Sequence, residues 1–197
     1  MEINRFIKEL YKYLSVSVPT KALDIIIEND VRVENYFTIQ LAVFFSNLKE
    51  KLEIKEYKLQ KHFPDKNYSN EKKKLRLHVD FSLTTNDGKE ILIELKHCSI
   101  ALKRPNGRRL QFYTNDSNNG KKVGVLKDCI KLDEINDTKN IVHKICLVII
   151  TQKPKLEDWQ LMKNRLSGYK ESKYWNFDTP IDFKKQNEKL AMFYLHK

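Results

Sequence analysis

Two short runs flank a turn near the middle of this 197-residue chain, and they restrict its fold more than any other feature. The first is Arg76-Leu-His-Val-Asp80-Phe-Ser-Leu-Thr-Thr85 and the second is Lys89-Glu-Ile-Leu-Ile-Glu94-Leu-Lys96-His97, joined by Asn86-Asp87-Gly88. Both alternate with period two, as half-buried strands do. Leu75, Leu77, Val79, Phe81 and Leu83 are expected on one face of the first strand, and Ile91, Ile93 and Leu95 on one face of the second. Asp80, Glu94 and Lys96 then fall on the opposite, polar faces.

The turn decides whether those polar faces meet. A two-residue Asp87-Gly88 loop would set Asp80 across from Leu95, pairing a carboxylate with a core residue. A three-residue loop from Asn86 to Gly88, with Gly88 left-handed, sets Asp80 across from Glu94 and Phe81 across from Ile93. Only the second register keeps the apolar residues together, so burial should select it. Two carboxylates directly opposed on a sheet repel each other. A divalent cation held by oxygen ligands is the simplest group to offset that.

This hairpin resembles the signature of the PD-(D/E)XK (restriction-endonuclease-like) nuclease superfamily: an acidic residue on one strand, then an acidic-X-Lys triplet on the next. Here it reads Asp80 and then Glu94-Leu95-Lys96, with Val79 where the motif has proline. A literal Pro64-Asp65 pair lies upstream, in a polar stretch with no strand to pair with, and is set aside. Glu56-Tyr57-Lys58 is a weaker copy of the triplet. The resemblance covers about residues 34–151 and implies an α/β fold with an αβββαβ core, a mixed central sheet and flanking helices. The whole chain, 1–197, then reads as one nuclease-like domain with N-terminal helices over 1–30 and a C-terminal extension over 152–197.

The expected elements agree with that order. Ile3, Phe6, Ile7, Leu10, Tyr13 and Leu14 are spaced for a helix over 3–14, and a second is expected from Lys21 to about Glu28. Phe37, Leu41, Phe44, Phe45 and Leu48 mark a third over about 34–50. A strand is expected over 52–59, the hairpin over 75–97, and a loop over Asn115–Gly120. A helix over 122–135 packs through Val125, Leu126, Cys129, Ile130 and Ile135. Lys144–Thr151 reads as a strand buried on both faces. A short helix over Asp158–Leu166 and a closing strand over Leu190–Leu195 complete the chain.

With 37 Lys and Arg against 26 Asp and Glu, the net charge of +11 suits a polyanionic partner, although a lysine-rich genome gives the same excess. Cys98, Cys129 and Cys146 are too few and too far apart for a disulfide framework or zinc site. They read as reduced thiols, and with no signal-peptide core or membrane span the expected location is cytoplasmic.

The resemblance implies Mg²⁺-dependent hydrolysis of DNA phosphodiesters, with Mn²⁺ able to substitute, in an endonuclease of restriction, defence or DNA-processing type. Asp80, Glu94 and the Leu95 carbonyl would hold the cation, and Lys96 would orient water and stabilise transition-state charge. Glu34 projects from the same stripe as Phe37 and Leu41, and it joins the catalytic and metal-binding set; the helix macrodipole also favours an acid there. Lys103, Arg104, Arg108 and Arg109 on a Pro/Gly-punctuated loop, Lys121, Lys122 and Lys131 at the next helix, and Lys74, Arg76 and His78 before Asp80 are candidate nucleic-acid contacts. Cutting both strands implies a homodimer, with the N-terminal helices as its candidate interface. Two other readings stay open: a basic nucleic-acid-binding module that keeps the hairpin without chemistry, and an unrelated α/β protein in which Glu94 and Lys96 are a surface ion pair.

Overall fold

The computed structural model describes residues 2–29, 33–63, 77–99, 124–135, 140–168 and 174–197. Among them are five α-helices: α1 (Ile3–Ser17), α2 (Thr20–Asn29), α3 (Glu34–Glu50), α4 (Val125–Glu134) and α5 (Leu156–Gly168). Six strands form one mixed sheet: β1 (Glu56–Phe63), β2 (Leu77–Thr84), β3 (Glu90–Ser99), β4 (Ile141–Thr151), β5 (Asn176–Asp178) and β6 (Leu190–His196). Their order is β1-β2-β3-β4-β6-β5. β3 and β4 run parallel, and the other neighbouring pairs run antiparallel. The architecture is α/β.

Helices cover both faces of the sheet. On one face, Ile3, Phe6, Ile7, Leu10 and Leu14 of α1 and the Phe37–Leu48 stripe of α3 pack on Phe81, Ile93, Leu95, Leu147 and Met192. On the other, Val125, Leu126, Cys129 and Leu132 of α4 and Trp159, Met162 and Leu166 of α5 pack on Leu92, Cys146, Val148, Ile150 and Phe193. Trp159 stacks on Phe183 with ring centroids 4.2 Å apart, and Trp175 is buried in the same layer. Residues Ile145 to Ile150 are buried without exception, because a strand covered on both sides has no polar face to offer water. β6 runs along β4 from Ile145–His196 to Thr151–Leu190, so the C-terminal segment contributes an interior strand.

The hairpin turn has the three-residue form. Thr84 pairs with Glu90, Thr85 N–H donates to the Lys89 carbonyl at 2.8 Å, and Gly88 sits at φ +79°. Phe81 therefore lies across from Ile93. The expected strand over 52–59 begins later, at Glu56. Leu52 takes a left-handed φ of +59° and Glu53 N–H returns to the Leu48 carbonyl, so these residues close α3 instead.

The even alternation expected along β2 is broken. Phe81 and Leu83 join the α1–α3 layer, whereas Leu77 and Val79 join the α4–α5 layer. The change of face falls at Asp80. In the β1–β2 ladder Leu59 pairs with Phe81 and Lys61 with Val79, but Gln60 and Asp80 between them do not pair, and Gln60 has φ +48°. Leu75 and the expected loop at 115–120 lie outside the described residues.

Candidate active site

The same irregularity opens the sheet beside β3. Pairing between β2 and β3 runs from Thr84–Glu90 to Phe81–Ile93 and goes no further. Leu95 and His97, two and four residues beyond Ile93, turn their N–H groups to the side that β2 has left. Two carboxylates take the place of the missing strand. Leu95 N–H donates to Asp80 Oδ2 at 2.8 Å, and His97 N–H donates to Glu34 Oε2 at 3.3 Å. An extended residue turns its N–H and C=O to the same side, so the Leu95 carbonyl faces this gap as well.

Glu34 reaches the gap because the start of α3 is fastened to His97. Val33 N–H donates to His97 Nδ1 at 3.3 Å, which assigns the remaining ring proton to Nε2, 3.0 Å from Thr151 Oγ1. Phe37 stacks on the same imidazole at 5.2 Å. His97 was expected to end the strand. It is instead a buried interior residue that locks α3 to β3 and so aims Glu34.

On the face of β3 turned toward α4, that helix supplies two charges. Gly124 precedes it at φ +70° and ψ −147°, a backbone region reserved for glycine, and sets the direction in which α4 begins. Lys131 Nζ lies 2.5 Å from Glu94 Oε2, and Asp128 Oδ2 lies 3.3 Å from Lys96 Nζ. Glu34 Oε2 lies 3.7 Å from the same ammonium. Asp80, Glu94, Lys96, Glu34 and Lys131 thus belong to one charged network. Asp128 belongs to it too and was missed from sequence; the available signal was an acid set among the apolar positions Val125, Leu126, Cys129 and Leu132.

The electrostatics follow from crowding and burial. Glu94 is only 2% exposed; burial, and then the charge of Asp80, push its carboxyl up to about 8, while Lys131 opposes the shift. Burial likewise raises Asp128, partly offset by Lys96 and Lys131. For Lys96, burial favours the neutral amine, but Asp128 and Glu34 outweigh it and hold the ammonium well above its ordinary range. Glu94 Oε1 is buried and accepts no hydrogen bond among the described residues. Ionisation of all four carboxyl groups (Glu34, Asp80, Glu94, Asp128) against two ammonium groups (Lys96, Lys131) would leave two excess negative charges, a crowding that the raised Glu94 carboxyl relieves by holding a proton.

Among the described residues no group of three His, Cys, Asp or Glu side chains is arranged to hold a metal ion as it stands. The donor chemistry nevertheless fits a hard divalent cation: crowded carboxylate oxygens, a main-chain carbonyl and a buried Glu94 oxygen that has no partner among the described residues. His78 is exposed and its ring lies 5.9 Å from that of His62, on the part of β2 that has parted from β3. Lys74, Arg76, Lys103, Arg104, Arg108, Arg109, Lys121 and Lys122 lie outside the described residues, as does Asp65. Glu56 and Lys58 form an exposed ion pair at 3.6 Å on β1. No protein-family model matches the chain, and neither does any curated protein or solved structure.

Proposed function

We propose that the chain is a divalent-cation-dependent nuclease of the PD-(D/E)XK type, acting on DNA through Asp80, Glu94 and Lys96. The observation that carries this reading is the crowding of Asp80, Glu94, Asp128 and Glu34 at the parted end of the hairpin, where Glu94 Oε1 is buried without a partner among the described residues. Burying a carboxylate that way is costly unless a cation completes the site. Asp80 and Glu94 are the residues that would hold the cation, with the Leu95 carbonyl and Glu34 beside them. A bound cation supplies phosphate neutralisation and a more acidic water.

The protein's own groups do the rest. Asp128 and Glu34 keep Lys96 charged and held between them, and its ammonium stabilises negative charge building on the phosphate. The opening between β2 and β3 is where a phosphodiester reaches these groups. The basic residues before Asp80 and after β3 contribute phosphate contacts, and a homodimer supplies a site for each strand of a duplex. A second reading draws on the fact that each carboxylate already has a partner in the chain: a basic module that binds nucleic acid without cutting it.

Supercoiled plasmid incubated with Mg²⁺, with EDTA, and with Mg²⁺ and Lys96→Ala separates the two. The expected result is nicking or linearisation by wild type in Mg²⁺ alone, with Lys96→Ala slower by about a hundredfold or more. Retained DNA binding without cleavage under every condition would favour the second reading. Cleavage unaffected by Lys96→Ala would remove the site from consideration.

A further inference from the structure

Lys131 does more here than a phosphate contact on α4 would require. Its ammonium meets Glu94 Oε2 at 2.5 Å, with the carboxylate nearly enclosed and the lysine side chain only 21% exposed. The other oxygen of Glu94 is buried and has no partner among the described residues. One lysine thus occupies half of the carboxylate that a cation would use. Lys96 is placed differently, bridging Asp128 and Glu34, and makes no ion pair with Glu94 among the described residues. The two lysines therefore have separate partners and separate tasks.

We propose that Lys131 is a resident counter-cation: it holds Glu94 in the metal-free protein and is displaced when a divalent cation enters, which makes it a determinant of cation affinity. The inference rests on the cation-dependent reading above. The exchange breaks the Lys131–Glu94 ion pair and forms cation–carboxylate contacts, and a proton held on Glu94 goes to solvent. The ammonium leaves Glu94 with its three protons, the cation takes the freed Oε2, and the lysine swings outward on its four-carbon stem toward the gap. Lys131 is thereby released to the substrate side only once the site is loaded.

The test is Mn²⁺ binding, read by electron paramagnetic resonance of the free ion, for wild type, Lys131→Met and Lys131→Arg. Removing the competing charge while keeping the apolar stem is expected to tighten Mn²⁺ binding by about tenfold or more, and Lys131→Arg should stay near wild type. Equal affinity in wild type and Lys131→Met overturns the proposal while leaving the cation site standing. No binding by any of the three overturns the cation reading itself, and the proposal with it. Should Lys131→Met fail to fold, wild type labelled with an N-hydroxysuccinimide ester and mapped by mass spectrometry gives an independent answer. Lys131 should be acylated several-fold faster in Ca²⁺ than in EDTA, and an unchanged rate would refute the displacement.

Discussion

Glu90 and Glu94 stand four residues apart on β3, each with a lysine at its carboxylate, yet their surroundings differ in kind. Glu90 lies where β1, β2 and β3 remain paired, and its carboxylate is held by both Lys61 and the Ser82 hydroxyl from the neighbouring strands. Glu94 lies past the last β2–β3 pair, with Lys131 on one oxygen, none of the described residues on the other and further carboxylates nearby. An acid and a lysine on paired strands satisfy each other and need nothing more. Where the strands part, carboxylates replace main-chain acceptors and negative charge accumulates. On the proposed reading, the acidic-X-Lys triplet carries meaning only through the gap beside it.

The strongest way to break the comparison is to neutralise each glutamate in turn and ask which one the cation needs. Wild type with Mg²⁺ at about a hundred times its dissociation constant is expected to gain roughly 2.7 kcal/mol over the protein in EDTA. That corresponds to a rise in Tm of about 5–10 °C for a chain of this size. Glu94→Gln should abolish the gain, while Glu90→Gln should keep it even if the apo protein melts somewhat earlier. Thermal denaturation of the three proteins with and without Mg²⁺ is the measurement. An equal gain in Glu94→Gln would mean that the cation binds elsewhere.

The closed end can be weakened without touching the open one. Gly88 has φ +79° and nothing within 4 Å of where a Cβ would stand, so Gly88→Ala adds backbone strain and no clash. A loss of about 1 kcal/mol is expected, with Gly88→Asn recovering part of it because asparagine tolerates the left-handed region. Denaturant titration gives the number. The Mg²⁺-induced gain should be unchanged in Gly88→Ala; a reduced gain would show that the two ends are coupled.

Most of the hairpin was legible in the sequence because period-two alternation and one glycine suffice to choose the register. Glu34 was legible for a related reason: it precedes Phe37 by three and Leu41 by seven, so burial of that stripe fixes its direction. The change of face at Asp80 was not legible. It depends on Gln60 adopting φ +48° on a neighbouring strand, a tertiary outcome that no local propensity encodes. Asp128 was hidden by habit rather than by physics, since a charged residue among helical apolar positions reads as an exposed gap in the stripe. Only the two lysines around it, one from β3 and one from its own helix, explain why it is kept at 7% exposure. His97 shows the same limit, its burial being decided by where α3 begins.

The smallest expected effect concerns pH at the closed end. His143 pairs across from Ile91, and His196 lies across from Ile145, both near the hairpin side of the sheet. Burial lowers the titration point of His143, with the neighbouring His196 adding to it, and burial lowers that of His196 against the pull of Asp178. A histidine whose folded value is depressed resists protonation in the native state while the unfolded chain takes up the proton. Stability from these residues is therefore complete above about pH 6.5 and declines as pH falls through that value, levelling once the folded imidazoles also protonate. Because both side chains are partly solvated, the decline should be below about 1 kcal/mol in total. Urea denaturation in EDTA at intervals from pH 8 to 5 should show it in wild type, and it should be smaller in His143→Gln and His196→Gln. A slope that persists in the double substitution would assign the pH dependence to other groups, and the carboxylates of the open end would be the next to test.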